Sequence, residues 1–458
     1  MPGKFGRGQE YPVIVVGAGG CGLVAALAAA KSGARRVLVL EKGEKPGGNT
    51  ALSTGLIPAA GTRFQREAGI TDDTPELMAR DIMTKNGGQA DPAIVTHLCQ
   101  VSARLVEWLV DEVGCDLICH TDFLYPGMSR LRMHGPPHGY GAELIEQLQA
   151  AIDSDPRIEL RTVTPVEALV QDESGCINGV RTAEQVVPAQ AVVLASDGFG
   201  ANPRMVREHL GEQIASAPYS GCQNNTGDGI RWGIEVGAAT SCMDAYQGHG
   251  SVAAPDGPLV TWGLIVNGAV LVNREGSRFG DESKGYSEFA QEVLSQPRGE
   301  AWEILDNQVY EASLGTRFDE VIHAGRIISA SSLDALASAT GLPRMQLTQT
   351  IEEVRLVRRG VKPDRWGRSH FASALNTPPF HAIRVVGALF HTQGGLVVDN
   401  HARVLDKARR PIRRLYAGGG TAVGISGRGA KGYLAGNGLL AALGLGLTAG
   451  CNAAEHAT

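Results

Sequence analysis

Tyr11-Pro12-Val13-Ile14-Val15-Val16-Gly17-Ala18-Gly19-Gly20-Cys21-Gly22 runs from an apolar segment through a glycine turn into the alanine-rich stretch Leu23 to Ala30. Four consecutive β-branched residues, Val13 to Val16, read as a buried strand. A helix over about 20–32 and a second strand, Val37-Leu38-Val39-Leu40, follow. Residues 12–41 are thus predicted to form a βαβ unit. In this pattern the first glycine makes the tight turn, the second admits a pyrophosphate to the backbone, and the third lets helix pack on strand. The phosphates then face a helix N-terminus, where unpaired N–H groups and the helix dipole favour negative charge. Glu41 ends the second strand 19 residues after Gly22, where a carboxylate accepts ribose hydroxyls. Gly17, Gly19, Gly20, Gly22 and Glu41 together predict dinucleotide binding.

Composition agrees with a large folded protein. The 458 residues are 43% hydrophobic and 20% charged, which excludes disordered and coiled-coil classes and suffices for two or three domains. Sixty glycines imply many tight turns and close backbone approaches. A net charge of −6 gives no electrostatic reason to expect nucleic acid or an anionic membrane as partner. Eight cysteines are too sparse for a disulfide scaffold and read as reduced thiols, so a cytoplasmic location is expected. Lys4 and Arg7 ahead of an apolar stretch ending at Ala28-Ala29-Ala30 imitate a secretory signal, but strand, turn and helix explain that stretch better. No apolar run reaches about 18 residues, so a soluble chain without membrane insertion is expected. Cys115–His120 is one residue too long for the usual haem attachment motif, and no cysteine pair has zinc or iron–sulfur spacing. No metal is expected.

Residues 70–115 read as helical, with Thr71-Asp72-Asp73-Thr74-Pro75 as a cap. Val166–Val170 and Ile177–Arg181, with Asn178-Gly179 inside, read as strands and hairpin turns. Val192-Val193-Leu194-Ala195 is another buried strand. Residues 247–383 are more mixed, with charged helices near 288–312 and 331–360. Leu396-Val397-Val398 and Leu415-Tyr416-Ala417 resume strand character before a glycine-rich C-terminal helix. Lys407–Arg414 reads as a solvated basic hairpin.

Seven glycine-bearing motifs then recur in order: Gly47–Gly55, Ser196–Asn202, Thr226-Gly227-Asp228-Gly229, Gly276–Glu282, His391-Thr392-Gln393-Gly394-Gly395, Tyr416-Ala417-Gly418-Gly419 and Leu434-Ala435-Gly436-Asn437-Gly438. In that order they resemble the fumarate reductase/succinate dehydrogenase flavoprotein superfamily, which includes the 3-ketosteroid dehydrogenases, over nearly the whole chain. The resemblance implies an α/β fold. A Rossmann-like FAD-binding domain of the glutathione-reductase type, residues 1–246 and 384–458, would be interrupted by an α+β capping (catalytic) domain, 247–383. It implies FAD as cofactor, with Glu41 and Lys42 at the ribose, and Gly48, Asn49, Thr50, Ser53 and Gly55 along the diphosphate and flavin. Val166 would lie by the adenine, and Asp228 and His391 near the isoalloxazine. Ser196 and Gly419 belong to the same implied set. Gly438 and Leu439 would sit at the pyrimidine edge, where a helix N-terminus stabilises a reduced-flavin anion. Succinate dehydrogenases carry a flavin-linking histidine where this chain has Asn49, so non-covalent FAD is expected. Gly420 stands where many members have a ribityl-binding glutamate.

The substrate-side positions separate reactions within the superfamily. Fumarate reductases use an arginine–glutamate–arginine proton relay and a further arginine on a substrate carboxylate. The corresponding positions here are Ile265, Trp262 and Tyr286, and Tyr433. A dicarboxylate would meet apolar and phenolic groups where it needs bidentate cations. Glu282-Ser283-Lys284-Gly285-Tyr286 instead resembles the 3-ketosteroid dehydrogenase segment whose tyrosine takes the α-proton. Tyr433 resembles their second tyrosine, which polarises the ketone beside a backbone N–H, assigned to Gly436. Tyr125 is a candidate third tyrosine at the pocket mouth. His249 occupies the substrate-side histidine position. Arg130, Arg132 and His134 could touch a carboxylate, although a surface face is the simpler reading.

The implied activity is FAD-dependent α,β-desaturation of a ketone, in a cyclic ketone such as a 3-ketosteroid or a smaller ring ketone. It would proceed by tyrosine-assisted enolisation and hydride transfer to flavin N5, with an external electron acceptor. The alternative is a flavin-dependent C=C reductase or dehydrogenase of a carboxylic acid, fumarate reductase-like, with Arg130, Arg132 or Arg428 as a relocated clamp. A third reading is a flavin-binding subunit that passes electrons to partners without a substrate of its own.

Overall fold

The computed structural model describes residues 10–457; Lys4 and Arg7 lie outside the described residues. In chain order the main strands are β1 (Tyr11–Val16), β2 (Val37–Leu40), β3 (Ile158–Arg161), β4 (Val186–Leu194), β5 (Tyr246–Ala253), β6 (Val270–Val272), β7 (Glu300–Asp306), β8 (Ile327–Ala330), β9 (Phe380–Thr392), β10 (Arg403–Leu405) and β11 (Pro411–Ala417). Three helices matter most: α1 (Gly20–Lys31), α2 (Tyr286–Leu294) and α3 (Asn437–His456). The chain divides into two compact units. One holds the residues up to Ala215, Gly221–Tyr246 and those from His391; the other holds Ser216–Ser220 and Gln247–Phe390.

The first unit is built on a sheet of order β10-β11-β4-β1-β2-β3. β1 pairs in parallel with β2 and β4, Val15 standing opposite Val39 and Val193. β4 pairs in parallel with β11. The carboxyl ends Val16, Leu40, Leu194 and Ala417 therefore share one edge of the sheet. From that edge emerge the Gly17–Gly22 turn, Glu41, Ser196-Asp197 and Gly418–Gly420, the place where open parallel sheets bind ligands. α3 closes on α1 through glycine: a Cβ at Gly446 would lie 2.6 Å from the Cys21 carbonyl oxygen.

The second unit carries an antiparallel sheet of order β5-β9-β7-β6, with β8 also on β9. Residue 384 is not a boundary. It lies inside β9, where Arg384 pairs with Trp302 of β7, and the chain passes from one unit to the other between Phe390 and His391. Residues 300–306, expected within a charged helix, form β7 instead. Both faces of this strand are buried. Ala301 and Leu305 join a cluster with Trp262 and Phe289, while Ile304 and Trp302 pack with Leu347 and Ile351. Two apolar faces hide the alternation on which strand recognition depends.

Asn178-Gly179 lies within the strand Ile177–Thr182, and the hairpin turns at Asp172–Cys176. There Asp172 Oδ1 accepts the Ser174 and Cys176 N–H groups at 2.8 and 3.0 Å. One helical stretch among the described residues, Pro92–Val113, is long and apolar enough by length and composition to cross a membrane. Thr96, His97 and Arg104 punctuate it, so it holds no unbroken apolar run of that length. Half of it is buried in the protein, as suits a core helix.

Candidate active site

In the first unit, Gly17 has φ +106°, and a Cβ there would lie 2.4 Å from the Ala195 carbonyl oxygen. A Cβ at Gly22 would lie 1.9 Å from the Gly17 carbonyl oxygen. No side chain caps α1, so its first-turn N–H groups are left for an anion. Next to Gly19 a Cβ would meet nothing nearer than 3.7 Å. Thr50 is buried beneath this turn, 2.7 Å from a Cβ at Gly20.

Glu41 accepts the Ala18 N–H at 2.8 Å and the Gly43 N–H at 2.7 Å, which ties the glycine turn to the end of β2. Val166 opens the neighbouring hairpin, and the Glu41 carbonyl accepts the Thr164 N–H at 2.8 Å just before it. Ser53 Oγ donates to the Thr50 carbonyl at 2.7 Å and accepts the Gly55 N–H at 3.0 Å. Gly48 and Gly55 have φ of +58° and +71°. Ser196 Oγ accepts the Gly229 N–H at 3.2 Å. Both serines hold turns that face the sheet edge.

The Asp228 carboxylate pairs with Lys42 at 2.7 Å and Arg231 at 2.8 Å and accepts from Thr226. It is thus a counter-ion beside Lys42, the residue after Glu41. Burial alone would raise its pKa, but Lys42 and Thr226 hold it below the ordinary value.

A second cluster forms at the N-terminus of α3. A Cβ at Gly438 would lie 3.0 Å from His391 Nε2 and 3.4 Å from Tyr433 Oη. The His391 and Tyr433 rings meet edge to face at 5.6 Å. Gln393 Nε2 donates to His391 Nδ1 at 3.0 Å, and Ser426 Oγ donates to Gln393 Oε1 at 2.9 Å. Burial lowers the His391 pKa, with Asp197 pulling the other way. Gly436 is the left-handed residue that caps α3, φ +79°, packed against Pro58. The glycine found beside the Tyr433 hydroxyl is thus Gly438. Gln393 lies in a motif already visible in the sequence; its hold on the histidine needs three dimensions.

Tyr125 belongs to the same unit, and its loop packs on the neighbour of Tyr433. A Cβ at Gly127 would lie 2.9 Å from Leu434 Cδ1. Burial, aided by Asp122, pushes the Tyr125 phenol up to about 12. It stays protonated at neutral pH.

In the second unit Tyr286 is the first residue of α2, after Gly285 at φ +117°. Its ring stacks on His249 at 4.9 Å, and Trp262 meets His249 edge to face at 5.7 Å. Burial drives His249 down to about 3, so the imidazole is neutral. Glu282, four residues before Tyr286, is fully buried against Arg278 at 2.6 Å and Arg368 at 3.4 Å and anchors the segment. Ile265 and Trp262 lie in the hydrophobic cluster of this unit.

The basic residues considered for a carboxylate clamp all have carboxylate partners or structural roles. Arg130 pairs with Asp72 at 2.7 Å and Arg428 with Asp244 at 3.1 Å. Arg132 and His134 are not on a surface face. Arg132 is buried between Asp73 and Asp81, each at 2.8 Å. His134 contacts Thr62 Oγ1 at 2.8 Å and is held down at about 4 by burial.

The cradle fits a dinucleotide on its own geometry: an uncapped helix N-terminus and glycines that admit backbone contact. Comparison with known proteins agrees. The sequence model of the FAD binding domain family matches residues 12–439. A probable fumarate reductase of Shewanella frigidimarina (strain NCIMB 400) is 31% identical over 99% of this chain and 76% of its own length. The 4-oxocyclohexanecarboxylate 2-dehydrogenase of Sinomonas cyclohexanicum is 27% identical over 93% of this chain and 92% of its own. The crystal structure of a 3-ketosteroid-Δ4-(5α)-dehydrogenase from Rhodococcus jostii RHA1, in complex with 4-androstene-3,17-dione, is similar with a TM-score of 0.76 and 26% identity, covering 98% of this chain and 97% of that one.

Proposed function

The chain belongs to the FAD binding domain family, in the flavoprotein superfamily of fumarate reductases and succinate dehydrogenases, and is an FAD-dependent oxidoreductase of CH–CH bonds; from that premise we propose that it introduces a C=C bond α,β to a ketone. The substrate is a cyclic ketone, a 3-ketosteroid or a smaller ring ketone. The observation that carries this reading is the Tyr433 hydroxyl at the N-terminus of α3, beside Gly438 and His391. As a ketone enolises, negative charge grows on its oxygen, and a phenol donor at a helix N-terminus stabilises that charge.

Tyr286 takes the α-proton in this reading. A phenol ordinarily ionises near ~10, so it acts as base only when its surroundings favour the anion. Tyr125 remains a donor. FAD, when bound, supplies the acceptor for the hydride that leaves the β-carbon. One C–H bond thus yields a proton to Tyr286 and the other a hydride, the C=C bond forms between the two carbons, and the electrons pass on to an external acceptor. The names of the Sinomonas and Rhodococcus proteins support a ring ketone.

The name of the Shewanella relative favours the alternative, reduction of a carboxylic acid. Against it stand Arg130, Arg132 and Arg428, each tied to an aspartate, and the apolar setting of Ile265 and Trp262. Anaerobic flavin bleaching separates the two. Ring ketones should bleach the flavin, succinate should not, and fumarate should not reoxidise the reduced protein. Tyr286→Phe and Tyr433→Phe should each slow bleaching by roughly 10²–10⁴ with FAD content unchanged. Rapid turnover of a carboxylate, with both phenylalanine variants silent, sinks the ketone reading.

A further inference from the structure

Asp197 follows β4 and is a non-glycine residue in the left-handed region, φ +62°, a backbone conformation that glycine adopts far more readily. The turn is held firmly. Asp197 Oδ1 accepts the Gly198 N–H at 2.8 Å, Oδ2 accepts from Asn225 Nδ2 at 2.8 Å, and its carbonyl accepts from Thr421 Oγ1 at 2.9 Å. Its side chain supports that turn, as aspartate does in the left-handed region, and the carboxylate has capacity for a further donor. The residue is only half-buried, yet enough protein surrounds the carboxyl for desolvation to raise its pKa.

Residues assigned to the cofactor adjoin this turn. A Cβ at Gly17 would lie 3.0 Å from Ser196 Cα, and the Phe199 N–H donates to Thr392 Oγ1, next to His391, at 3.1 Å. The Asn49 amide and His391 both favour the ionised carboxyl. Gly420 completes the picture. A Cβ there would lie 2.1 Å from Asp197 Oδ1 and 2.7 Å from the Gly198 nitrogen, so the carboxylate fills the volume that a side chain at 420 would take.

Between its diphosphate and its ring, FAD carries a ribityl chain whose hydroxyls are hydrogen-bond donors, and a carboxylate accepts such donors strongly. We propose that Asp197 is a cofactor-binding residue, its carboxylate accepting the ribityl hydroxyls of FAD in the space that the absence of a side chain at Gly420 leaves open. The left-handed φ then sets an acceptor at that point of the site.

The test is FAD binding to apoprotein, followed by flavin fluorescence, alongside apoprotein melting. Asp197→Gly should raise the FAD Kd by about tenfold to a hundredfold, the range for a hydrogen bond to a charged group. Apoprotein melting reports separately what the turn loses when Asn225 and the Gly198 N–H give up their acceptor. With an FAD analogue whose ribityl chain lacks hydroxyls, Asp197→Gly should cost nothing. The assignment is wrong if Asp197→Gly binds FAD like the unaltered protein, or if the penalty persists with the analogue.

Discussion

At Asn49 the carboxamide oxygen accepts the Cys222 N–H at 2.7 Å, and its amide favours the ionised Asp197 carboxyl. A carboxamide has no ring nitrogen with which to alkylate a flavin, so acid or heat should release intact FAD into solution. Flavin that stays with the denatured polypeptide would contradict this. Glu41 works differently, since both of its oxygens already hold backbone N–H groups of the turn. Glu41→Gln keeps one acceptor, removes the charge, and should weaken FAD binding about tenfold or more in an apoprotein titration. An unchanged affinity would mean that Glu41 serves only the turn. The value of a residue here depends on what its neighbours have already satisfied.

Strand β7 carries Glu303 into the interior, where the Ser251 hydroxyl donates to one oxygen and the other has no partner. Burial pushes its carboxyl up to about 8 from the ordinary 4.5. Between those values the unfolded chain has released the proton and the folded chain keeps it, so this group makes stability fall as pH rises. His249 on β5 acts in the opposite sense. With its pKa driven to about 3, the unfolded chain binds a proton between about 3 and 6.5 that the folded chain refuses, and stability rises with pH across that window. Glu303→Gln should therefore raise the melting temperature most near pH 8 and flatten the descending limb above pH 6.5. A uniform loss at every pH would show that the carboxylate is needed in its charged form. The same elements mark what sequence could and could not yield. β1, β2 and the buried end of β4 were legible because parallel strands buried on both faces read as unbroken apolar runs rich in valine, Val13–Val16, Val37–Leu40 and Val192–Leu194. β7 is also buried on both faces, but Glu303 interrupts the run, and its carboxyl finds a partner only in Ser251, far off in the chain. Arg132 and His134 read as surface residues because the partner Asp73 lies 59 residues away. Asp197 was hidden for a similar reason: its meaning rests on Gly420, more than two hundred residues on.

Taken across the molecule, the residues assigned to FAD come from widely separated stretches: Gly17–Gly22, Glu41–Gly55, Ser196-Asp197, His391, Gly419-Gly420 and Gly438-Leu439. All fall in one compact unit, although that unit is assembled from three segments of chain. The parallel sheet explains why, since β1, β2, β4 and β11 deliver their loops to one edge. A ligand that binds only the folded arrangement stabilises it by mass action, by about 2.7 kcal/mol at a free concentration of 100 times Kd. Amides that exchange only when this unit opens as a whole should then exchange about a hundredfold more slowly with FAD than without it. Hydrogen exchange followed by mass spectrometry should show all of these stretches, together with β1, β2 and β4, gaining protection as a block. The smaller effect is expected in β6, β7 and the Phe380–Phe390 part of β9, because none of the assigned FAD residues lies in that unit. Protection confined to the Gly17–Gly22 turn would mean that the cofactor engages the βαβ unit alone, and the assignments at Asp197, His391 and Gly438 would then be wrong together.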